Sequence, residues 1–381
     1  MYMDNNYNLM YEFVNSYKSM ISTLEEYNMI YKIHNEYIII KYDSNVIKDY
    51  NKEQLEYYNN FLRYFRGLIY NKNTNKIVCY GLDGKLNYDT FVNKYNYDDI
   101  TIEESIDGTM INMYYDNNKW NISTKTCSNA DKSYWYSKYS FYELFLECWN
   151  NYYDNFDILN KEYCYTFILM HPNNQIVTYY KNPELRLLQI RNMNDFSLID
   201  NHLEIEKPKQ LDLICNDYKS LKEMCNNLSY ELEGFMLYCN NDRVKIKNKK
   251  YLNVKNLKGN YRNIMYRIID LYINNPNELE ELLKYFQFYK NHLDKYIYIK
   301  KRFVGSLIFL YNKTKKQNIY IDYPNHISKY VYILHNQYID NIKNNNKKSI
   351  KKQDCIDLFN KCNIYEQINI IKNHDKYIRN N

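Results

Sequence analysis

Four stretches of the chain alternate apolar and polar residues on either side of a short Asn/Asp-rich turn. They cover residues 67–79, turning at 71–75; 109–123, turning at 116–119; 165–180, turning at 172–175; and 233–246, turning at 240–242. Period-two alternation with β-branched and aromatic flanks is the pattern of a half-buried strand, and Asn and Asp accept the backbone conformations a tight turn needs. Each stretch therefore reads as a β-hairpin, and hairpins build antiparallel sheets because a short turn cannot join parallel strands. Between them lie helical stretches at 131–154, with aromatics and leucines at three- and four-residue steps, and at 217–228. Hairpins alternating with helices predict an α+β domain over residues 35–253, preceded by a helical segment at 1–34. From residue 254 to 381 the chain reads as mostly helical. Asn277 with Glu280 resembles a capping box before the periodic run 278–288. Residues 343–352, KNNNKKSIKK, form a basic Asn-rich patch, read either as a solvated loop or as a contact to an RNA backbone.

Composition changes this picture little. Asn, Tyr, Ile and Lys dominate while Gly (7) and Pro (5) are rare, the imprint of an AT-rich genome, so the 48 tyrosines need no functional explanation. A net charge of +6 points only slightly towards a polyanionic partner. The nine cysteines are odd in number and none forms a CxxC pair, which argues against a disulfide framework or a zinc site and fits a reducing, cytoplasmic compartment. The N-terminus lacks the basic and apolar regions of a signal peptide, and no window nears the ~18 apolar residues of a membrane span.

Candidate chemistry gathers on two of the hairpins. In the second, Asp107-Gly108 leads into an alternating strand and Lys125 closes the return. In the fourth, Glu233-Gly234 opens the hairpin and Val244-Lys245-Ile246-Lys247 closes it. Alternation puts Lys245 and Lys247 on one face, where they repel unless an anion lies between them; a nucleotide phosphate would serve.

Arg66-Gly67, the Ser105-Ile106-Asp107-Gly108 tetrad, Thr124-Lys125, the segment 176–191 ending in an Arg, and Glu233-Gly234 with Lys245 and Lys247 follow one another in an order and spacing that resembles the phage-type tRNA-repair RNA ligases. These are members of the covalent nucleotidyltransferase superfamily, with DNA ligases and mRNA capping enzymes. The resemblance covers residues 63–252, and implies an antiparallel-sheet nucleotidyltransferase (ATP-grasp-like ligase) domain followed by the helical C-terminal one. It further implies ATP and Mg²⁺ as cofactors, RNA (tRNA among them) and nucleotide as partners, and no membrane association. In the family a lysine attacks the α-phosphate of ATP, AMP passes to an RNA 5′-phosphate, and a 3′-hydroxyl displaces it. By resemblance, Arg66, Asp107, Gly108, Lys125, Glu233, Lys245 and Lys247 are nucleotide-binding, and Glu233 holds the metal.

The chain departs from the family pattern at three places. Ser105 stands where the family has its nucleophilic lysine, and a serine cannot form the phosphoramidate. Ile168 stands at a family carboxylate, and Lys85 sits one position from an upstream family lysine. The first expectation is a protein that binds nucleotide or RNA ends but is defective in self-adenylylation. The alternatives are a ligase that uses pre-adenylylated RNA or a substitute lysine (Lys85 or Lys125), and a non-catalytic platform whose helical C-terminal region binds a protein. An AT-rich genome encoding RNA-repair-like proteins suggests a viral or mobile-element source.

Overall fold

Asparagine supplies most of the turn geometry that this glycine-poor chain needs. Among the described residues, the non-glycine positions with positive φ are Phe196 and six asparagines, Asn35, Asn75, Asn117, Asn118, Asn240 and Asn318. The short Asn side chain tolerates the left-handed region that most residues avoid. Asn117 and Asn118, with φ of 51° and 59°, make the paired positive-φ turn that matches the twist of a two-residue hairpin. The structure, a computed structural model, describes residues 24–25, 29–43, 51–133, 138–261, 263–344 and 349–380.

Three antiparallel sheets are built on such turns. The first has the order β1 (Ile30–His34), β2 (Tyr37–Lys41), β3 (Arg66–Asn71), β4 (Lys76–Cys79). The second contains β6 (Thr109–Asp116), β7 (Lys119–Thr124), β8 (Tyr163–Met170), β9 (Glu184–Asn192) and β10 (Leu198–Ile199), in the order β10-β9-β8-β6-β7. The third is β12 (Asp242–Lys247), β11 (Gly234–Cys239) and β5 (Thr101–Glu104), in that order.

Helices cover one face of each sheet. Helix α1 (Lys52–Asn60) and the turn after it place Tyr58, Phe61 and Phe65 against Ile38, Ile40 and Leu68 of the first sheet. Its other face, with Tyr37, Ile39 and Ile69, packs on Tyr114 and Cys164 of the second. Helix α2 (Tyr88–Lys94), capped by Asn87, buries Phe91 against the third sheet. Helix α3 (Phe141–Trp149) starts at a Ser140/Glu143 capping box and packs Phe145 and Trp149 on Phe167 and Leu187. Helix α4 (Tyr218–Asn227), capped by Asp217, lays Leu221 and Cys225 on Phe235 and Val244. The opposite faces of the second and third sheets turn towards each other and enclose the candidate site.

The chain divides into two compact units at Lys255/Asn256, within helix α5 (Lys249–Lys258). The second unit holds α6 (Ile264–Asn274), α7 (Pro276–Tyr285), α8 (Tyr289–Tyr311), α9 (Asn325–Lys343), α10 (Lys352–Lys361) and α11 (Ile364–Asn380), around a core that includes Tyr296, Phe303, Leu307, Val331 and Phe359. The architecture is thus α+β with antiparallel sheets and a helical C-terminal region. No helix among the described residues is long and apolar enough to cross a membrane.

Several expectations are corrected. The third hairpin does not return at 176–180: β8 pairs with β9, which begins at Glu184. The amides of Val177 and Thr178 instead donate to the Asp107 carboxylate, so the segment has no ladder to join. The helix expected over 131–154 is confined to Phe141–Trp149, because Ser140 caps it there; residues 134–137 lie outside the described set. Helix α7 starts at Pro276, whose missing N–H costs nothing in a first turn, rather than at an Asn277 cap. It ends at Tyr285, short of the expected run to 288. Residues 30–34 of the segment read as helical form β1, while 1–23 and 26–28 lie outside the described residues. So do 345–348 of the basic patch, whose flanks are the ends of α9 and α10.

Candidate functional site

Alternation along β12 decides which side chains enter the space between the sheets. Val244 and Ile246 are buried against α4, which leaves Arg243, Lys245 and Lys247 on the opposite face. Met236 and Tyr238 do the same on β11. Met110 of β6, Ile168 of β8 and Leu188 of β9 meet them from the second sheet, and Arg66, Lys85 and Ser105 close a cavity of about 70 Å³. Ligand sites ordinarily measure roughly 300–1,000 Å³, so a nucleotide enters only if walls such as Tyr238 and Lys85 move.

At the centre stands Glu233, buried at the start of β11. Its Oε2 accepts from Lys245 Nζ at 2.7 Å and from Ser105 Oγ at 2.9 Å. Burial alone would raise this carboxyl, but the Lys245 charge and hydrogen bond hold it below the usual carboxylate range. The anion between Lys245 and Lys247 is therefore, in the first instance, a side chain of the protein itself. Burial lowers both amines, against the opposing pull of Glu233.

The other cations carry less compensation. Burial, then the neighbouring Arg243, pushes the Arg66 guanidinium down to about 10, and its Nη1 is buried with no hydrogen-bond partner among the described residues. Burial, then Lys245, Lys247, Arg66 and Arg243, brings the Lys85 amine down to about 6. Lys125 lies with its Nζ 5.0 Å from the centre of the Tyr42 ring, and burial together with Arg66 lowers it to about 8. An orphaned buried guanidinium among amines that shed protons is an arrangement that an anionic ligand would relieve.

Asp107 and Gly108 act on the backbone. Asp107 Oδ2 accepts from the amides of Val177 and Thr178, both at 2.9 Å, and Oδ1 accepts from the Tyr251 hydroxyl of α5 at 2.7 Å. A Cβ on Gly108 would lie 2.6 Å from both Ile168 Cγ2 and the Leu169 carbonyl oxygen. Because Leu169 is held in the middle of the second sheet, Gly108→Ala should destabilise by about 1–3 kcal/mol, the ordinary range for overpacking. Equilibrium denaturant unfolding would measure it, and an unchanged midpoint would mean that β8 yields more readily than its two-sided pairing suggests.

Arg66, Ser105 and Lys245 thus meet at one cavity, with Glu233 bonded to two of them and Lys247 on the same strand face. Lys125 stands beside Arg66, outside that lining. Arg191, which ends the segment 176–191, is elsewhere: it stacks on Tyr80 at 4.1 Å and donates to the Phe196 carbonyl. The sequence reading missed Arg243, which the same alternation carried one step back from Lys245 would have found, and Tyr251, for which no local signal exists. Glu233, to which the resemblance assigns the metal, accepts from Lys245 and Ser105 here. Among the described residues no group of three or more His, Cys, Asp or Glu could hold a metal ion without further ligands.

No protein-family model matches the chain. It is 27% identical over 268 residues to a protein named as a bifunctional polynucleotide kinase/RNA ligase of Autographa californica nuclear polyhedrosis virus, a match covering 63% of this chain and 37% of that protein. It is 30% identical over 100 residues to the RNA ligase of Rhodothermus phage RM378, covering 24% of this chain and 23% of that one. A third relative is the immediate-early protein ICP-46 homolog of Invertebrate iridescent virus 3, 26% identical over 194 residues and covering 49% of this chain and 43% of that protein. The chain spans less than half the length of these relatives, two of which are named as viral RNA ligases. Among solved structures, an archaeal ATP-dependent RNA ligase matches with a TM-score of 0.41 at 9% identity, over 73% of this chain and 77% of that one. A Naegleria gruberi RNA ligase mutant with AMP and Mn matches with a TM-score of 0.31 at 12% identity, over 40% of this chain and 51% of that one.

Proposed function

We propose that this chain is an RNA-ligase-like protein that binds adenosine nucleotide and RNA ends in the cleft between its second and third sheets, and that it carries no AMP on position 105. The observation that supports this reading is the surplus of buried cation: among the described residues Arg66 Nη1 has no hydrogen-bond partner, and Lys245 and Lys247 share Glu233, with Asp107 the further carboxylate acting on Lys247. Phosphates satisfy such groups through charge-assisted hydrogen bonds. Ser105 adds a hydroxyl that donates to Glu233 and has no strong base beside it, since Lys245 keeps that carboxylate ionised and weakly basic. ATP is the cofactor we assign, and a divalent ion such as Mg²⁺ would arrive with its phosphates rather than reside in the protein. RNA already bearing a 5′-adenylate suits the same site, because sealing it requires no protein nucleophile. We place RNA selection, with tRNA as one substrate class, and any protein partner on the helical unit of residues 256–381.

The test is equilibrium binding of ATP, and of a 5′-phosphorylated RNA, to the full chain and to an Arg66→Met/Lys247→Met variant. Hydrogen bonds to charged groups contribute about 1.5–3 kcal/mol each, so affinity for both ligands should fall at least roughly tenfold. Equal affinity for the natural chain and the variant would refute the reading.

A further inference from the structure

Lys85 enters the site from a segment pinned on both sides. The Gly84 N–H donates to the Arg63 carbonyl at 2.6 Å, the Leu86 N–H to the Arg243 carbonyl at 2.9 Å, and the Tyr58 hydroxyl to the Lys85 carbonyl at 3.3 Å. Gly84 is pressed so closely on Arg63 that a Cβ there would lie 2.8 Å from the Arg63 carbonyl oxygen. The side chain so presented lines the same cavity as Ser105. Among the described residues its Nζ has no hydrogen-bond or ion-pair partner.

Its charged and titratable neighbours come from every element around it. Arg66 lies on β3, Arg243, Lys245 and Lys247 on β12, Tyr238 on β11 and Glu104 on β5. Glu104 is the carboxylate of the lining, and its Oε1 accepts from the Lys209 amide at 2.9 Å. The other amines are less suited to attack a phosphate. Lys245 is committed to Glu233, and Lys125 lies over Tyr42 outside the cavity.

We propose that Lys85 is the nucleophile that takes AMP from ATP in this protein, in place of the lysine that position 105 lacks. The proposal rests on the nucleotide-binding reading above. Nucleophilic attack needs a free lone pair, and burial among cations leaves the Lys85 amine mostly uncharged at neutral pH, with its value near 6. The Nζ lone pair attacks the α-phosphorus of ATP. A nitrogen–phosphorus bond forms while the bond from that phosphorus to the bridging oxygen breaks, and the electron pair leaves on pyrophosphate. The nitrogen releases one proton to water. A neutral amine and ATP thus become a phosphoramidate, pyrophosphate and a proton, with no change in oxidation state. Arg66, Arg243 and Lys245 line the same cavity as Lys85 and would offset the charge that builds up on the phosphates.

The experiment incubates the full chain with ATP and Mg²⁺ or Mn²⁺, beside Lys85→Arg and Lys85→Met, and reads intact mass and peptide maps. ATP and RNA affinities are measured on the same samples. One AMP per chain is expected on the peptide containing Lys85, labile in acid and stable in alkali as a nitrogen–phosphorus bond is, and lost at least 100-fold in both variants. The kcat/KM for its formation should fall as pH drops through about 6, where the free protein's amine takes up its proton. Lys85→Met removes a buried amine and keeps its stem, so its melting midpoint should not fall, which separates loss of the adduct from unfolding. An adduct that persists in the variants or maps to another residue overturns the proposal, as does a chain that binds ATP but forms no adduct; in either case the nucleotide-binding reading stands. A chain that forms no adduct and binds neither ATP nor RNA overturns both.

Discussion

Glu233→Ala is expected to lower the unfolding free energy by about 3 kcal/mol, because removing one partner of a buried ion pair leaves the other charge uncompensated. The pair is well shielded, with the Glu233 and Lys245 side chains 8% and 15% exposed and 2.7 Å apart. The substitution also strips the Ser105 hydroxyl of its acceptor. The figure sits at the low end of the usual range because Lys245, already lowered by burial, can release its proton instead of remaining a bare charge. The melting midpoint should drop by roughly 6–12 °C on this scale. Acid should narrow the gap between the natural chain and the variant. The folded Glu233 carboxyl lies below its unfolded value of 4.5, so its contribution is complete above that value and disappears as pH falls through the lower folded one. A Glu233→Ala/Lys245→Met double variant should recover much of the loss, since apolar groups then replace both charges. If the double variant melts no higher than Glu233→Ala, the two residues are not coupled and the pair does not organise the site.

Asp107→Ala should cost a similar amount, about 3 kcal/mol, by a different route. Its carboxylate is the acceptor for two backbone amides and one buried hydroxyl, and each group left unsatisfied costs about 1–3 kcal/mol before water or local rearrangement relieves it. Asp107→Asn should cost less, because it keeps one acceptor oxygen. Calorimetry measures the total, and amide hydrogen exchange at Val177 and Thr178 locates it. Unchanged protection at those two amides would show that Asp107 does not hold the segment. This role gives the aspartate beside Gly108 a structural task that does not depend on which residue stands at position 105. The Asp-Gly pair ties residues 177–178 to the edge of the cleft, and Gly108 lets the chain entering β6 lie close against Ile168 and Leu169 of the neighbouring β8.

Much of the local architecture was legible in the chain. Three of the four hairpins turn where the Asn-rich segments predicted, and the helix from Tyr218 begins after the Asp217 cap. Alternation alone put Lys245 and Lys247 on one face, and they share it. The third hairpin failed for a reason no local pattern contains. The amides of Val177 and Thr178 found a carboxylate some seventy residues away, and the strand that pairs with β8 came from further along the chain.

Turns, caps and strand faces depend on residues within a few positions of one another, so the sequence by itself determined them here, together with the absence of a lysine at 105. Which strands share a sheet, and which side chains meet between the sheets, depends on packing among elements more than a hundred residues apart. Only the tertiary structure could therefore join Ser105 to Glu233, leave Arg66 Nη1 without a hydrogen-bond partner among the described residues, and bury Lys85 among cations. The proton affinity of an amine is set by the water it loses and the charges it gains, and both exist only once the chain has folded.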